Sequence, residues 1–299
     1  MAAKANLTKD ANVQTAAREI DFVSRFSKNW QGLIDIMGIM RPIRKENGVT
    51  LKQKSASITL QSGSVGEGEE VPYSLASVIE TPIAEMSIEK YAKAVSIEAI
   101  KAHGYDNAVA MTDTAFLNQL QSNVMNQFYT FLTTAAGATT DSFPTFQKAL
   151  AMAKANVLNE FKKLQLTATE VVGFVNLMDL YDYLGDADIT VQTQFGMTYI
   201  QNFLGYRVIF LCSDNEISSG TVVAVPVENI NLYYVDPSDS DFARAGLQYT
   251  VDGVTPLLGF HTQGNYNTVV SECFAIMGLT LFAEYANGIA IMTVSGISA

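Results

Sequence analysis

The run TDTAFLNQLQSNVMNQFYTFLTTAAG, residues 112–137, decides how the rest of the chain is read. Within it Leu117, Leu120, Val124, Phe128, Phe131 and Ala135 recur at spacings of three and four, the period of one helix face. Thr112-Asp113 gives a start signal: a short polar residue, then an acid suited to the positive end of the helix dipole. Gly137 gives a stop. A helix of roughly 24 residues would be about 36 Å long, twice the usual length in a globular domain. No charged residue lies between Asp113 and Asp141, and the polar positions are amides and hydroxyls such as Asn118, Gln119, Asn123 and Gln127. A surface helix carries Lys and Glu on its wet face. The spacing therefore predicts a long helix buried on one side, with Leu117, Leu120, Val124, Phe128 and Phe131 as its core face, and covered by weakly polar surroundings on the other.

Around this helix the composition bounds the possibilities. The chain has 299 residues, 48% of them hydrophobic, which is enough for a sizeable core and incompatible with global disorder. The net charge of −11 is unevenly placed. Residues 1–54 hold ten basic and five acidic residues, whereas the remainder holds nine basic and 25 acidic. A basic amino-terminal segment on an acidic body favours electrostatic docking, in cis or on a neighbour. An acidic body disfavours broad contact with nucleic-acid phosphates. Cys212 and Cys273 sit in apolar runs and read as buried thiols. No signal peptide or membrane span is expected, since no apolar run of about 18 residues is uninterrupted.

Upstream, residues 18–40 show helical clustering of Ile20, Phe22, Val23, Phe26, Trp30, Leu33, Ile34 and Met37, ended by Gly38 and Pro42. So much apolar surface on a terminal arm needs a cover, and Phe26 and Trp30 are expected to contact another subunit. Residues 49–60 and 79–95 are β-prone, separated by the glycine-rich acidic run QSGSVGEGEEVP, residues 61–72. Together they predict an extended hairpin, which is not stable without further strands or other chains. Gly63, Gly66, Gly68, Glu69, Glu70 and Tyr73 at its end are expected to be inter-subunit contacts. A phosphate loop is disfavoured there, because no Lys follows and Glu67, Glu69 and Glu70 repel phosphate.

Downstream, residues 96–102 read as a short helix closed by His103-Gly104. Asp141-Ser142-Phe143-Pro144 reads as a second helix start, feeding a buried stripe of Phe146, Leu150, Ala153, Val157 and Phe161. Residues 171–175 read as a central strand, 177–184 as a short helix, and 186–197 as a polar loop. Strands are expected at 206–211, 221–227 and 230–235. From Asp236 the chain turns loop-like. Two last strands, 269–285 and 288–294, are expected to form a hairpin at Ala286-Asn287-Gly288.

Catalytic and metal signatures are weak. His103 and His261 are isolated, the cysteines lack a CxxC spacing, and no GxSxG occurs. Two acidic groups could hold a cation: Asp179, Asp182, Asp186 and Asp188, and Asp236, Asp239 and Asp241. Neither has the spacing of an EF-hand loop, and each reads better as a solvated helix end or loop.

The order of arm, hairpin, long uncharged helix, mixed body and late strand pair resembles the major capsid protein of tailed bacteriophages, the HK ninety-seven-like fold. The residues that carry the likeness are YIQNFLGYRVIFL (199–211) with GTVVAV (220–225) and INLYYV (230–235), and FAIMGLTL (274–281) through GIAIMTV (288–294). The resemblance implies an α+β capsid fold divided into an arm (1–47), an extended loop (48–94), a peripheral domain with the spine helix (95–145), an axial domain (146–237), further peripheral strands (238–287) and a returning carboxy-terminal strand (288–299). It implies a structural protein, not an enzyme, without cofactor or metal. Copies would form pentamers and hexamers closing an icosahedral shell around double-stranded DNA, without sequence-specific contacts and without a membrane. A scaffolding protein, a portal and a decoration protein are the expected helpers, with assembly in the host bacterial cytoplasm and residence in the virion. About 17 residues precede the arm helix, so no long amino-terminal scaffolding domain is expected. Some members join a loop Lys to a peripheral Asn with help from a Glu. Asn265, Asn267 and Glu272 lie in the matching region, but no Lys occurs between Ser55 and Glu89, so no cross-link is expected. The alternatives are an encapsulin-type nanocompartment shell, which shares the fold, and a soluble enzyme with an acidic cation site.

Overall fold

A computed structural model describes residues 38, 40–166, 170–185, 192–194, 197–201, 203–251 and 257–295. The long helix, preceded by a shorter helix α1 (Ile97–His103), is α2 (Met111–Thr134), 24 residues. Leu117, Leu120, Val124 and Phe128 are buried along it together with Tyr129 and Leu132, and Phe131 is half-buried. Both expected ends are corrected. The helix does not start at a Thr112-Asp113 cap. It grows out of a π-turn at Asp106–Ala110, with Ala110 already in the helical region and no side-chain cap. Thr112 Oγ1 instead donates to the carbonyl of Ala108 at 2.7 Å, and Asp113 is buried. At the other end Gly137 does not cap the helix. It takes φ +87° in the turn that follows, closed by Ala138 N–H donating to Ala135 O. Helix α1 follows the sequence: Ser96 Oγ accepts from Ala99 N–H, and Gly104 at φ +82° ends it.

A seven-stranded sheet lies between two helices. Its order is β5 (Thr139–Phe143), β16 (Ala290–Val294), β10 (Thr221–Pro226), β6 (Val171–Asn176), β9 (Val208–Cys212), β8 (Met197–Gln201) and β7 (Gln192–Gln194). All six residues of β6 are buried, between antiparallel β10 and parallel β9. The strand period of two divides them. Val172 and Phe174 join the cluster of Leu120, Val124 and Phe128 on α2. Val171 and Val175 join Leu150, Ala153 and Val157 on α3 (Phe146–Lys163). Covering on both faces is why this strand reads as an unbroken apolar run. Helix α4 (Leu177–Leu184) follows directly, with the Asn176 side chain accepting from Met178 N–H.

Several expectations fail here, mostly because a strand elsewhere in the chain offers a ladder that local pattern does not reveal. Residues 139–143 are not a helix start but β5, paired parallel to β16. The residue before a proline is biased toward extended backbone, which suits Phe143 to a strand end, and α3 begins only after Thr145. Within the expected polar loop, 186–197, residues 192–194 form a strand paired antiparallel to 197–199, a local ladder, while 186–191 and 195–196 lie outside the described residues. The terminal hairpin does not form. Residues 269–285 divide at Gly278 into β14 (Val270–Met277) and β15 (Leu279–Ala283), in different sheets. A Cβ at Gly278 would meet Ser87 O and Val235 Cγ2 at 3.0 Å, so the break needs glycine. After a 3-10 turn at Ala286–Gly288, β16 pairs with β10 and β5, not with β15.

Three smaller sheets complete the fold. One orders β12 (Thr250–Val251), β13 (Leu258–Asn265), β14 and β4 (Glu89–Ser96). Another orders β1 (Met40–Arg44), β11 (Ile230–Tyr234) and β15. Met40, expected at the end of a helical stretch, opens a strand and pairs parallel with Ile230. The rest of that stretch, through Met37, lies outside the described residues. The acidic loop after Asp236 contains a short helix, α5 (Ser240–Arg244). Cys212 and Cys273 are buried and form no disulfide, and burial pushes the Cys212 thiol up. The last sheet is the ribbon described next.

Candidate assembly surfaces

Strands β2 (Thr50–Thr59) and β3 (Leu75–Glu85) pair antiparallel through ten residue pairs, with a bulge after Leu51. Ten residues of strand extend about 33 Å. The expected second strand, 79–95, is in fact two: β3 ends at Glu85, Met86 is buried, and β4 leaves to join β14. Only the foot of the ribbon is embedded, through Leu51, Met86 and Val235 with Ile83, Ile88 and Phe242 around them. Gly48 N–H donates to Met86 O and Met86 N–H to Val49 O, which fixes the foot. From Ala56 to Glu80 every residue is exposed.

Large apolar residues are among those this ribbon exposes, including Ile58, Leu60, Leu75, Val78 and Ile79. Opposed pairs share a face, so Ala56 with Val78 and Ile58 with Ala76 form an apolar patch on one side, next to the Lys54–Glu80 pair toward the foot. On the other side Ser57 Oγ and Ser77 Oγ lie 2.8 Å apart, flanked by Leu75 and Ile79. Tyr73 is 92% exposed and Leu75 73%. An edge-bearing apolar ribbon of this length invites a partner. Its tip is ordered by its own polar groups. Gly66 N–H donates to Glu69 Oε2 at 2.9 Å, Glu69 N–H donates to Gly66 O, and Gly68 takes φ +84° between them. Gln61 N–H donates to Ser74 Oγ across the mouth. Gly63, Gly66, Gly68, Glu69, Glu70 and Tyr73 thus stand together on this exposed end, whereas Phe26 and Trp30 lie outside the described residues.

A second projecting element is the β13–β14 turn. Tyr266 there is 96% exposed, and Val269, a β-branched residue, takes φ +53°. Behind the turn Gln263 Nε2 and Asn265 Nδ2 each donate to the Glu272 carboxylate at 2.9 Å, holding its pKa below the usual glutamate value. Asn267 N–H donates to Asn265 Oδ1. Lys52, near the foot of the ribbon, pairs with Glu80 at 3.6 Å.

Of the acidic residues considered for a cation, Asp179, Asp236 and Asp239 hold the fold, whereas Asp186 and Asp188 lie outside the described residues. Asp179, buried, accepts from Ser219 Oγ and from Gly220 N–H, both at 2.6 Å. Asp236 and Asp239 receive the Arg44 guanidinium at 3.2 and 2.5 Å, pinning the end of β1. The hydrogen bond from Arg44 holds the Asp239 carboxyl below its usual value. Among the described residues no three His, Cys, Asp or Glu side chains gather as a metal site, and no helix is long and apolar enough to cross a membrane. Sequence reading missed this Arg44 clamp. Its signal was present in the run DPSDSD after β11, but the partner lies some 190 residues away.

No protein-family model and no curated protein sequence matches the chain. Solved structures do. The capsid of cyanophage A-1(L) is similar with a TM-score of 0.55 at 10% identity, over 88% of this chain and 92% of that one. The mature capsid of bacteriophage PhiM1 is similar with a TM-score of 0.50 at 11% identity, over 87% of each chain. The holo-SrpI encapsulin complex of Synechococcus elongatus is similar with a TM-score of 0.52 at 9% identity, over 90% of this chain and 89% of that one. The chain therefore has an α+β viral-shell fold. It is the HK ninety-seven-like fold of tailed-bacteriophage major capsid proteins, carried here over nearly the whole length.

Proposed function

We propose that this chain is a structural major capsid protein, which self-assembles through pentamers and hexamers into an icosahedral shell around the double-stranded DNA of a tailed phage. The observation that carries the reading is the β2–β3 ribbon. It has apolar residues on both faces and is uncovered from Ala56 to Glu80. Its exposed end, with Gly63, Gly66, Gly68, Glu69, Glu70 and Tyr73, serves as an inter-subunit contact. Many such weak contacts, repeated in every copy, add up through multivalency. The seven-stranded sheet with α3 and α4 serves as the axial domain, and α2 with the β12-β13-β14-β4 sheet as the peripheral domain. The acidic body leaves packaged DNA free of sequence-specific contacts. A scaffolding protein, a portal and a decoration protein act as helpers, assembly takes place in the host cytoplasm, and the product resides in the virion.

The role is structural and not enzymatic, a reading supported by Asp179, Asp236 and Asp239, which suggested a cation site and are hydrogen-bonded or ion-paired within the fold. The second reading is an encapsulin-type nanocompartment, supported by the similarity to the Synechococcus complex. Negative-stain microscopy of the purified product with a nuclease-protection assay separates the two. Large heads able to protect DNA are expected. Small DNA-free shells would favour the nanocompartment, and a discrete small oligomer under all assembly conditions would overturn both.

A further inference from the structure

The ribbon ends in charge that its own subunit leaves unmet. No Lys or Arg occurs between Ser55 and Glu89, and Glu67, Glu69 and Glu70 crowd the turn. Glu69 is engaged in ordering the tip, where it accepts from Gly66 N–H at 2.9 Å. Glu67 and Glu70 make no ion pair among the described residues. Val71 and Tyr73 beside them are exposed. Like charges on so short a turn repel one another, and a basic surface laid against them relieves that repulsion.

Basic charge gathers on one helix of the body. Four of the nine basic residues after residue 54 fall in α3: Lys148, Lys154, Lys162 and Lys163. Glu160, paired with Lys163 at 2.6 Å, is the sole acid of that helix. Lys154 is turned aside, its ammonium donating to the carbonyl of Gly205. Opposite the buried stripe, Lys148, Ala151, Ala155, Asn159 and Lys162 follow at spacings of three, four, four and three, and all five are exposed. They make a strip about 21 Å long, basic at both ends and small-sided between. Neither Lys148 nor Lys162 has an ion pair among the described residues. By contrast, α2 carries no Lys or Arg at all.

We infer that the acidic end of the ribbon docks on the outward strip of α3 in a second copy, with Glu67 and Glu70 set between Lys148 and Lys162. The two surfaces do not meet within one chain, since every residue from Ala56 to Glu80 stands exposed. A phosphate backbone is the competing occupant of a basic strip. The tip is favoured because each copy supplies one tip for each strip, and because the acidic remainder of the body repels a polyanion. The charges steer the encounter and set its register, while adhesion comes from the apolar residues of the ribbon. Exposed ion pairs are screened by salt, so the contact weakens at high ionic strength. The inference rests on the reading of the ribbon as an inter-subunit contact, and names the surface that receives it.

Charge exchange tests it. Glu67→Lys with Glu70→Lys forms one variant, and Lys148→Glu with Lys162→Glu the other; circular dichroism checks that both fold. Each is expected to cut the assembled fraction about tenfold or more, read by sedimentation, because like charges then face each other. All four substitutions together should restore most of it. No loss in either variant, or loss without restoration, overturns the inference. Ile58→Lys separates the two levels of failure. If it blocks assembly while both charge variants assemble normally, the ribbon remains a contact and its receptor lies elsewhere. If it too assembles normally, the reading of the ribbon itself fails. Nucleic acid lost from intact shells of the Lys148→Glu, Lys162→Glu variant would assign the strip to a polyanion and overturn the docking. Should a charge variant fail to fold, wild-type particles decide. A water-soluble carbodiimide joins touching carboxylates and amines, so peptides with Glu67 or Glu70 should be recovered joined to peptides with Lys148 or Lys162. The same link in dilute unassembled subunits, or tip peptides joined to lysines elsewhere or to none, would overturn it.

Discussion

Lys93 of β4 forms an ion pair with Asp113 in the first turn of α2, with the two side chains only 15% and 9% exposed. Lys93 Nζ also donates to Thr112 Oγ1 at 2.6 Å and to the carbonyl of Val109 in the π-turn. One ammonium thus ties the four-stranded sheet to the point where the π-turn becomes α-helix. Breaking a withdrawn pair from one side strands the other charge. Asp113→Ala is expected to cost about 3 kcal/mol, whereas Lys93→Met with Asp113→Leu is nearly neutral. Denaturant unfolding of the unassembled subunits checks both, and equal losses in the single and double variants would contradict the pairing.

Phe128 packs edge-on against Tyr129 and Phe174, with ring centroids at 5.3 and 5.8 Å. It joins α2 to the central strand β6. Phe128→Ala is expected to cost about 3–5 kcal/mol, and Phe128→Asp, which buries an unpaired charge, to abolish soluble protein. Wild-type yield of the Asp variant would show that this contact is dispensable.

On the ribbon, Ile58→Lys and Val78→Glu replace exposed apolar residues, so each is expected to change subunit stability by no more than about 0.5 kcal/mol. Assembly should nevertheless fall sharply, because the apolar face offered to the partner is gone. Deleting residues 61–72 should act likewise. Sedimentation separates subunits from shells, and normal shells from any of these chains would remove the ribbon from the assembly contact.

Glu272 titrates below the usual glutamate value because Gln263 and Asn265 donate to it. The sign follows: its contribution to holding the β13–β14 turn is full above the unfolded value and is lost as pH falls through the lower folded one. Glu272→Gln should abolish the acid-dependent loosening. Amide exchange at residues 263–272 across acid pH reads this, and the same acid response in wild type and variant would refute it.

Covalent cross-linking through the ribbon is not expected. Lys is absent between Ser55 and Glu89, and Lys52 is paired with Glu80 near the foot. A denaturing gel of mature particles should show one band near 32.5 kDa, and a ladder of multiples would contradict the prediction.

The sequence by itself determined those elements whose signal repeats within a few residues. The face of α2, the stripe of α3 and the two-sided strand β6 follow from periods of 3.6 and 2, which backbone geometry imposes locally. The ribbon was legible too, as β-prone runs around a glycine-rich end with no neighbour in view. Tertiary structure alone decided partners. Asp141 faces Met292 across a parallel ladder, so a run resembling a helix cap became strand β5. Asp113 became half of an ion pair with Lys93, so an apparent cap was absorbed into a helix already under way. Gly288, where a Cβ would stand 2.5 Å from Phe161 Cε2, packs against α3 instead of turning a hairpin. Local rules state what a segment prefers in isolation; which strand or charge satisfies it is set by chain closure across more than a hundred residues, and no window of sequence contains that information.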